Sequence, residues 1–393
     1  MPAHKGFRTL LDTYIRDPLR REMYMNTRRT IIYYHQALPL FPFKFSLFGS
    51  NVKEYLFYCY IYPLYVKLFL GKQTYVALQT ADIKQRFARR YRFPEERIDV
   101  FFPETDRIDV EGITPYKYED GTYNFVYPSI GAVYKEHLTI VYALERLLTQ
   151  NSDIAKRIRI HFTLKSTDNN ELYQYICQHH LESSFVFHGP LPHDQVLSML
   201  KSAEALVFPS VIETFGLPLL EAASLGVPVI ANDMEYVREV LYGYSGLNMV
   251  KVHDYDEWAS MMRSCCEQKL HFPYYQVPEK HSWKRLFDLI RDGEGAKENR
   301  VICVLATASA KRGALAIYKQ FVHALSADYG QDEWHVFVDV DMPMPVIPQV
   351  HYHVVHTKGF GRIWFDLVGF RRYVKKLGVT PDVVFSLQNT GVF

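Results

Sequence analysis

The sequence contains few cysteines and has almost no net charge. Its 393 residues include five cysteines, at spacings that match no metal site: Cys59, Cys177, Cys265, Cys266 and Cys303. The odd number favours reduced thiols and therefore predicts a cytoplasmic protein. The formal net charge is +2, from 45 basic and 43 acidic residues. This balance gives no electrostatic basis for binding a nucleic acid.

The sequence also lacks an uninterrupted apolar run long enough to span a bilayer. Aromatic residues make up 15% of the chain and are concentrated in residues 55–69, where Pro63 and Lys67 interrupt them. The polar, charged segment before residue 30 does not resemble a signal peptide. We interpret residues 55–69 as a buried helix. The alternative is a helix that presents tyrosine and lysine to a membrane surface, as a peripheral contact.

Residues 204–232 predict a βαβ unit. The apolar run 205–208 ends at a Pro-Ser pair, as a buried parallel strand ends at a loop. A helix then opens at Thr-Phe-Gly-Leu-Pro, where proline suits the first helical turn, and a second strand follows. Glu213 lies in the loop and Glu221 on the helix. Two carboxylates are therefore expected near a helix N-terminus, at the carboxyl edge of a sheet.

This pattern resembles the Glu-x7-Glu signature of retaining glycosyltransferases with the GT-B fold, and among them the group known as family 4. The resemblance implies an α/β protein with two Rossmann-like domains. It implies that Glu213 lies near the donor sugar and that Glu221 hydrogen-bonds the ribose. The backbone between them would contact sugar and phosphate, through Thr214, Phe215, Gly216 and Leu217. The alternative is that Glu213 caps the helix and that Glu221 is a solvated helix residue.

The same family usually has an arginine and a lysine, five residues apart, that bind the donor diphosphate. Lys135 takes the lysine position here, but Ile130 stands where the arginine is expected. One phosphate charge is thus left without its expected partner. The alternative is that Lys135 is a surface helix residue. The Asp-x-Asp match at residues 339–341 is interpreted as structural, so we expect neither a metal nor a cofactor, only a nucleotide-diphosphate sugar as donor.

Further donor contacts are expected where other strands of the same sheet end, because ligands of doubly wound sheets bind at that edge. The candidates on the nucleoside side are Ser166, Gly189 and Leu191. His188 is interpreted as a packing residue. An amphipathic helix at 282–290 would close this domain.

The chain continues after residue 290 with what resembles the missing first half of the domain whose second half opens it. We therefore expect a circularly permuted GT-B enzyme, natural or constructed; a truncated tandem enzyme is the alternative. The expected parts are an unassigned extension (1–29), the second half of the acceptor-side domain (30–112), the nucleotide-sugar domain (120–290), a linker (291–300) and the first half of the acceptor-side domain (301–393).

Permutation makes specific structural predictions. The strand 382–387 should lie near the strand 31–35, and Phe393 should reach back to about Arg29 by a short connection. His35 would then belong to the active site as a catalytic residue. Three further residues would form an acceptor-side or phosphate loop: Arg312, Gly313 and Asn389.

Together these features predict a hexosyltransferase that moves a sugar to a glycan or lipid-linked acceptor with retention of configuration. The resemblance suggests surface polysaccharide assembly at the inner face of the plasma membrane, with no protein partner evident. Two alternatives remain open: a sugar-nucleotide epimerase of the same fold, and a non-catalytic protein that binds sugar nucleotides.

Overall fold

The computed structural model describes residues 29–41, 56–103, 108–268, 270–276, 283–291, 299–309, 312–356, 360–389 and 391. The predicted extension 1–29 lies outside these residues apart from Arg29, as does most of the predicted linker 291–300. The chain divides into two units. The first comprises Met1–Gln79, Ile83–Glu104 and Lys280–Phe393, and the second comprises Thr80–Asp82 and Thr105–Glu279.

The strands of the described residues form two parallel sheets. In chain order they are β1 (Arg29–Tyr33), β2 (Thr74–Leu78), β3 (Ile98–Val100), β4 (Tyr123–Tyr127), β5 (Ile158–Phe162), β6 (Phe185–Phe187), β7 (Ala205–Phe208), β8 (Val229–Asn232), β9 (Leu247–Val250), β10 (Val301–Leu305), β11 (Glu333–Val338), β12 (Val350–Val354) and β13 (Val383–Ser386).

Helices alternate with these strands, which confirms the α/β prediction. They are α1 (Tyr62–Leu68), α2 (Ala81–Tyr91), α3 (His137–Gln150), α4 (Ser152–Ala155), α5 (Asn170–Gln178), α6 (His193–Ser202), α7 (Leu217–Ser224), α8 (Glu235–Val240), α9 (Tyr255–Glu267), α10 (Trp283–Arg291), α11 (Arg312–Ala327), α12 (Phe360–Trp364) and α13 (Phe370–Leu377). Five-residue π-helical segments precede α1 and α13, at Phe57–Ile61 and Phe365–Gly369.

The sheet of the first unit is assembled from both ends of the chain, as predicted. Its order is β12-β11-β10-β13-β1-β2-β3. The last strand, β13, lies parallel between β10 and β1, with Phe385 opposite Ile31 on one side and Val304 on the other. Starting from β10, this is the order 3-2-1-4-5-6-7 of a doubly wound sheet. Neither end of the chain could close this sheet alone.

Alternating residues of these strands point to opposite faces of the sheet. On one face an aromatic core packs beneath α10 and α11, where Phe321 contacts both Trp334 and Phe385. On the other face, Phe370 and Val374 of α13 cover the remaining residues of β10, β11 and β13. The central strands are therefore apolar on both faces, as a sheet covered by helices on both sides requires.

The prediction that residues 282–290 close the nucleotide domain is wrong. Helix α10 packs on the sheet of the first unit, where Trp283 stacks on Tyr33 with ring centroids 5.8 Å apart. Leu286, Phe287 and Ile290 are buried in the same core. Amphipathicity predicts that a helix covers a sheet, but it does not reveal which of two sheets.

The predicted short connection from Phe393 to Arg29 falls on Phe393, which lies outside the described residues. Because β13 and β1 are parallel neighbours, β13 ends at the carboxyl edge of the sheet while β1 begins at the amino edge. Joining such strands takes a crossover of a dozen or more residues.

The sheet of the second unit has six parallel strands in the order β6-β5-β4-β7-β8-β9, again the doubly wound order 3-2-1-4-5-6. The order in which strands are added along the chain reverses between β4 and β7, so the connections after these two strands run to opposite faces of the sheet and a crevice is expected at the carboxyl edge. This is the point at which doubly wound sheets bind their ligands.

The aromatic segment 55–69 is only partly a buried helix. Pro63, Val66 and Phe69 face the core, whereas Phe57 and Ile61 are 41% and 52% exposed. Among the described residues, no helix combines the length and the apolar character needed to cross a membrane.

Candidate functional site

The loops after β4 and β7 meet at the crevice of the second unit. The backbone N–H of Val211 donates to the carbonyl of Tyr134 at 3.1 Å, which joins the two loops. The phenol of Tyr127, at the end of β4, donates to the carbonyl of Lys135 at 2.7 Å. Lys135 is thereby fixed on the rim of the crevice, beside the loop that carries Glu213.

Lys135 and Glu213 form an ion pair between Nζ and Oε1, and their side chains are only 12% and 16% exposed. Lys135 also lies near the rings of Tyr134 and Phe208, at 5.6 and 6.0 Å from their centroids. The surface alternative for Lys135 is therefore wrong. In this structure its charge is balanced by Glu213 in surroundings that are largely shielded from water, where charges interact strongly.

Gly216 turns the chain from the Glu213 loop into α7. Its φ of +89° lies in the left-handed region, and a Cβ there would stand 3.0 Å from Leu219 Cδ1, so only glycine fits without strain. Pro218 occupies the first turn, as predicted. The opening N–H groups of α7 thus follow directly after Glu213, with the positive end of the helix dipole at the crevice.

Glu221 is 9% exposed, so the alternative that it is a solvated helix residue is excluded. Its Oε1 lies 2.9 Å from Nε2 of His193, the first residue of α6. His193 was missed from the sequence, because nothing in the order of residues shows that α6 and α7 bring these two side chains together. Its side chain is 67% exposed, which leaves it accessible to a ligand of Glu221.

The other residues predicted to contact the donor sugar nucleotide lie along the same carboxyl edge of the sheet. Ser166 follows β5. Gly189, with a φ of +73°, follows β6 and donates its N–H to the carbonyl of Leu164 at 3.1 Å. Leu191 is half-buried beyond it. The loops after β4, β5, β6 and β7 therefore place all the predicted donor residues on one edge of one sheet.

Ile130 leaves an apolar, 43% exposed side chain in the loop after β4. The next residue, Gly131, packs so closely on the loop after β5 that a Cβ would clash with the backbone carbonyl of Asp168. Lys165, an exposed cation, lies on this second loop, which packs against the loop of Ile130. The sequence signal that could have identified Lys165 is its position after β5, where ligands of such sheets bind.

Two buried tyrosines, Tyr127 and Tyr236, lie close enough to the Lys135–Glu213 ion pair to interact with the charge of Glu213. Burial raises the pKa of Tyr127 and of Tyr236 well above the usual value, and the charge of Glu213 adds to both shifts. The phenol of Tyr236 donates to the carbonyl of Ser210 at 2.7 Å. Both groups remain protonated and fix backbone carbonyls of the two loops.

His137, at the start of α3, lies 2.8 Å from the hydroxyl of Ser129 through its Nε2. Burial, and then the charge of Lys135, lower the pKa of His137 to about 3. His161 on β5 has a pKa lowered to about 4 by burial, by His188 at 2.9 Å and by Arg159. His188 is thus part of a packed histidine pair, as the sequence suggested.

We expect these histidines to make the protein less stable in acid. Since their pKa values are lowered in the folded state, the unfolded chain binds more protons as the pH falls below about 6.5. Their stabilising contribution is present above that pH and is lost as the pH falls from about 6.5 to about 3 for His137 and about 4 for His161, at roughly 1.4 kcal/mol per pH unit for each group. Denaturant unfolding at pH 7.5, 6 and 5 measures this slope. The variant His137→Gln should flatten it, and an unchanged slope would contradict the assignment.

His35 and Asn389 lie in the first unit, at the carboxyl ends of the neighbouring strands β1 and β13. The backbone N–H of His35 donates to Oδ1 of Asn389 at 2.5 Å, and Asn389 Nδ2 lies 3.3 Å from His35 Nε2. The N–H can only donate, so Oδ1 must face it, and Nδ2 must donate to Nε2. If Nε2 of His35 were protonated, its N–H would face the Nδ2 donor of Asn389, which disfavours the charged ring. Burial also lowers the pKa of His35 to about 4.

Arg312 and Gly313 are the first two residues of α11. The prediction that Gly313 belongs to a loop is therefore wrong: the helix begins one residue earlier.

The Asp-x-Asp match at residues 339–341 has a structural hydrogen bond. Oδ1 of Asp339 accepts the backbone N–H of Val340 at 2.8 Å, which agrees with the structural interpretation of this match. Within the described ranges, no group of three or more histidine, cysteine or acidic side chains is arranged to hold a metal ion.

Residues 125–279 match the model of the family described as glycosyl transferases group 1. The match covers nearly all of the second unit and less than half of the whole chain. It supports a glycosyltransferase domain there, the unit that holds Lys135, Glu213 and Glu221.

Curated relatives match parts of the chain. The chain is similar to D-inositol 3-phosphate glycosyltransferase of Arthrobacter sp. (strain FB24), with 27% identity over 32% of this chain and 30% of that protein. It is similar to O-antigen chain mannosyltransferase B of Escherichia coli, with 34% identity over 20% of this chain and 21% of that protein. The chain spans between 29% and 44% of the three D-inositol 3-phosphate glycosyltransferases it first matches.

A solved structure is similar at lower identity. WaaG, a glycosyltransferase involved in lipopolysaccharide biosynthesis, aligns with a TM-score of 0.45 and 14% identity over 65% of this chain and 73% of that chain.

Proposed function

We propose that this protein is a retaining GT-B glycosyltransferase of the family 4 type. It takes a nucleotide-diphosphate sugar and transfers the sugar to a hydroxyl of a glycan or lipid-linked acceptor, in surface polysaccharide assembly. The observation that carries this proposal is the shielded Lys135–Glu213 ion pair at the opening of α7. The family match of residues 125–279 supports it.

Lys135 is proposed to bind the donor diphosphate. A diphosphate would compete with Glu213 for the ammonium group and would also meet the opening N–H groups of α7. These groups supply positive charge where negative charge develops on the leaving group, without a metal. Glu213, released from Lys135, is proposed to hold a hydroxyl of the donor sugar. Glu221 is proposed to accept hydrogen bonds from the ribose hydroxyls.

The transfer breaks the bond between the anomeric carbon and the diphosphate oxygen, and the electron pair leaves on that oxygen. The acceptor oxygen forms the new bond to the anomeric carbon and releases its proton, so the products are the glycosylated acceptor, a nucleoside diphosphate and one proton. The first unit is proposed to contribute His35, held by Asn389, together with Arg312 and Gly313 on the acceptor side. Neutral at pH 7, His35 would act through hydrogen bonding rather than charge.

We also propose that the domain order is circularly permuted relative to an ordinary GT-B enzyme. The support is the strand order of the first unit, which becomes 3-2-1-4-5-6-7 only when it is counted from β10. The alternative of a truncated tandem enzyme does not account for two complementary halves in one sheet.

The first experiment measures release of free nucleoside diphosphate from a panel of sugar nucleotides, with EDTA present, with and without glycan and lipid-linked acceptors. We expect release with at least one donor, and proton NMR of the product should show the donor's anomeric configuration. Conversion of one sugar nucleotide into another without release would identify an epimerase. Binding with neither reaction would identify a non-catalytic protein.

The variant Glu221→Gln is expected to weaken donor binding by about 1–3 kcal/mol, because a charge-assisted hydrogen bond to the ribose is lost. Titration with a nucleoside diphosphate and with its 2′,3′-dideoxy analogue measures this effect. The dideoxy compound should bind both proteins alike. Glu171→Gln, at an exposed acid on α5, is the matched control and should leave the affinity unchanged. An unchanged affinity in Glu221→Gln would remove Glu221 from the ribose site.

Lys165→Ala tests whether Lys165 compensates for Ile130. We expect the preference for a nucleoside diphosphate over the monophosphate to fall about fivefold to tenfold, because one phosphate contact is lost. Lys156→Ala, an exposed lysine before β5, is the control. If both variants keep the preference of the parent protein, Lys165 does not contact the diphosphate.

A further inference from the structure

Ser129 lies two residues beyond the end of β4 and immediately before the apolar Ile130. Its backbone N–H donates to Oγ1 of Thr163, just beyond β5, at 3.1 Å. The main chain of Ser129 is therefore fixed where the loops after β4 and β5 meet. Because Ser129 is half-buried, it places a partly shielded hydroxyl at the carboxyl edge of the sheet, where doubly wound sheets bind their ligands.

The hydroxyl of Ser129 is held by His137, whose Nε2 lies 2.8 Å from Oγ. His137 is 2% exposed, and its ring packs against the rings of Tyr127 and Phe162, at centroid distances of 5.1 and 5.4 Å. The imidazole is neutral at pH 7, because burial and the charge of Lys135 lower its pKa to about 3. Only one of its two nitrogens therefore carries a proton.

The surroundings of the imidazole indicate which nitrogen carries that proton. Among the residues that the structure describes, the buried Nδ1 of His137 has no hydrogen-bond partner. Buried N–H groups that lack an acceptor are rarer in proteins than buried acceptors that lack a donor, so the proton is assigned to Nε2. The Nε2–H group then donates to Oγ of Ser129 and leaves the hydroxyl proton of Ser129 for another acceptor.

The phenol of Tyr127 can accept this proton in the free protein. Its own proton is donated to the carbonyl of Lys135, and the hydroxyl of Ser129 acts against the raised pKa of the phenol. A phosphate oxygen is a stronger acceptor than a neutral phenol because it is charged. Ser129 and Lys135 both neighbour Tyr127, so a hydroxyl donor and an ammonium group lie near the same part of the crevice.

We propose that Ser129 is a further donor-binding residue, whose hydroxyl donates a hydrogen bond to the diphosphate, and that His137 is the positioning residue that orients this hydroxyl. The inference rests on the proposed function, since it takes a nucleotide-diphosphate sugar as the donor. With Ile130 in place of a cation, the loop after β4 offers the diphosphate a neutral hydrogen-bond donor instead of a charge.

The test measures the affinities of the full chain for UDP, GDP and ADP and for the corresponding nucleosides. For the diphosphate that the parent protein binds, Ser129→Ala should bind at least about tenfold more weakly, because a hydrogen bond to a charged group is lost. The affinity for the matching nucleoside should stay the same. Ser129→Thr keeps the hydroxyl and should keep most of the diphosphate affinity. Ser183→Ala, at an exposed serine before β6, is the matched control and should bind like the parent protein.

The positioning role of His137 is tested with a conservative and a non-conservative variant. The amide nitrogen of glutamine can replace Nε2 as a donor, so His137→Gln should keep the diphosphate affinity, whereas His137→Leu should lower it. In the Ser129→Ala background, His137→Leu should cause no further loss, because its effect passes through the hydroxyl. His161→Leu, at another buried histidine of the same sheet, is the control and should leave the diphosphate affinity unchanged.

Thermal unfolding identifies the variants that are folded, and only these are compared. An unchanged diphosphate affinity in Ser129→Ala would overturn this inference and leave the proposed function intact. An additive loss in the double variant would overturn the positioning role of His137. If the parent protein binds none of the three diphosphates, the proposed function and this inference are overturned together.

Discussion

Replacement of Lys135 by alanine is expected to lower turnover by at least a hundredfold, with little recovery on addition of Mg²⁺. The reason is electrostatic: removing one preorganised group that stabilises the charge of a transition state typically costs 10²–10³ in rate. Lys135 is 12% exposed and held at its backbone by Tyr127, so a neighbouring side chain cannot readily take its place. Single-turnover rates with saturating donor measure the loss.

The variant Lys135→Ala also leaves the Glu213 carboxylate without its partner in a largely buried position, and this alone could reduce activity. The double variant Lys135→Ala with Glu213→Gln separates the two causes. If phosphate charge is the reason, the double variant remains as slow as Lys135→Ala or slower. Recovery of turnover in the double variant would contradict a role of Lys135 at the diphosphate. Lys135→Arg should keep part of the activity because it keeps the charge.

Replacement of Phe385 by alanine is expected to lower the free energy of unfolding by about 3–5 kcal/mol, the usual cost of removing a large buried aromatic side chain. Phe385 is fully buried on β13 and contacts Phe321 with ring centroids 5.6 Å apart. It lies between β10 and β1, so the cavity would open in the middle of the sheet that joins the two ends of the chain. Urea unfolding followed by circular dichroism measures the change.

The matched control for Phe385→Ala is Val346→Ala, because Val346 is fully exposed in the same unit. We expect this control to change stability by less than about 0.5 kcal/mol. A similar small effect of Phe385→Ala would show that the chain end does not stabilise the sheet. In that case the assembly of the first unit from both ends of the chain, and the pairing of His35 with Asn389, would have to be abandoned.

Local sequence determined most of the second unit. The short apolar run of β7, the glycine that must adopt a positive φ and the proline tolerated in the first turn of α7 are all properties of neighbouring residues. They predicted the loop of Glu213 and the position of Glu221 on its helix. Parallel strands share one carboxyl edge, so the residues after β4, β5 and β6 could also be assigned to that edge from the sequence.

The sequence also indicated that the two ends of the chain form one sheet, because each end held only half of a doubly wound pattern. It did not reveal where α10 packs. The apolar side of α10 fits either sheet by its pattern alone, and only the aromatic contacts of Trp283 and Phe287 select the first. The parallel pairing of β13 with β1 likewise required the structure.

By itself, then, the sequence determined the α/β class, the elements around Glu213 and Glu221, and the existence of two complementary half-domains. Only the tertiary structure decided which side chains meet: Lys135 with Glu213, His193 with Glu221, and Asn389 with His35. Helix and strand formation depend on residues close in the chain, whereas these pairs are 78, 28 and 354 positions apart. Their distances are set by how the sheets and helices pack, which no local pattern records.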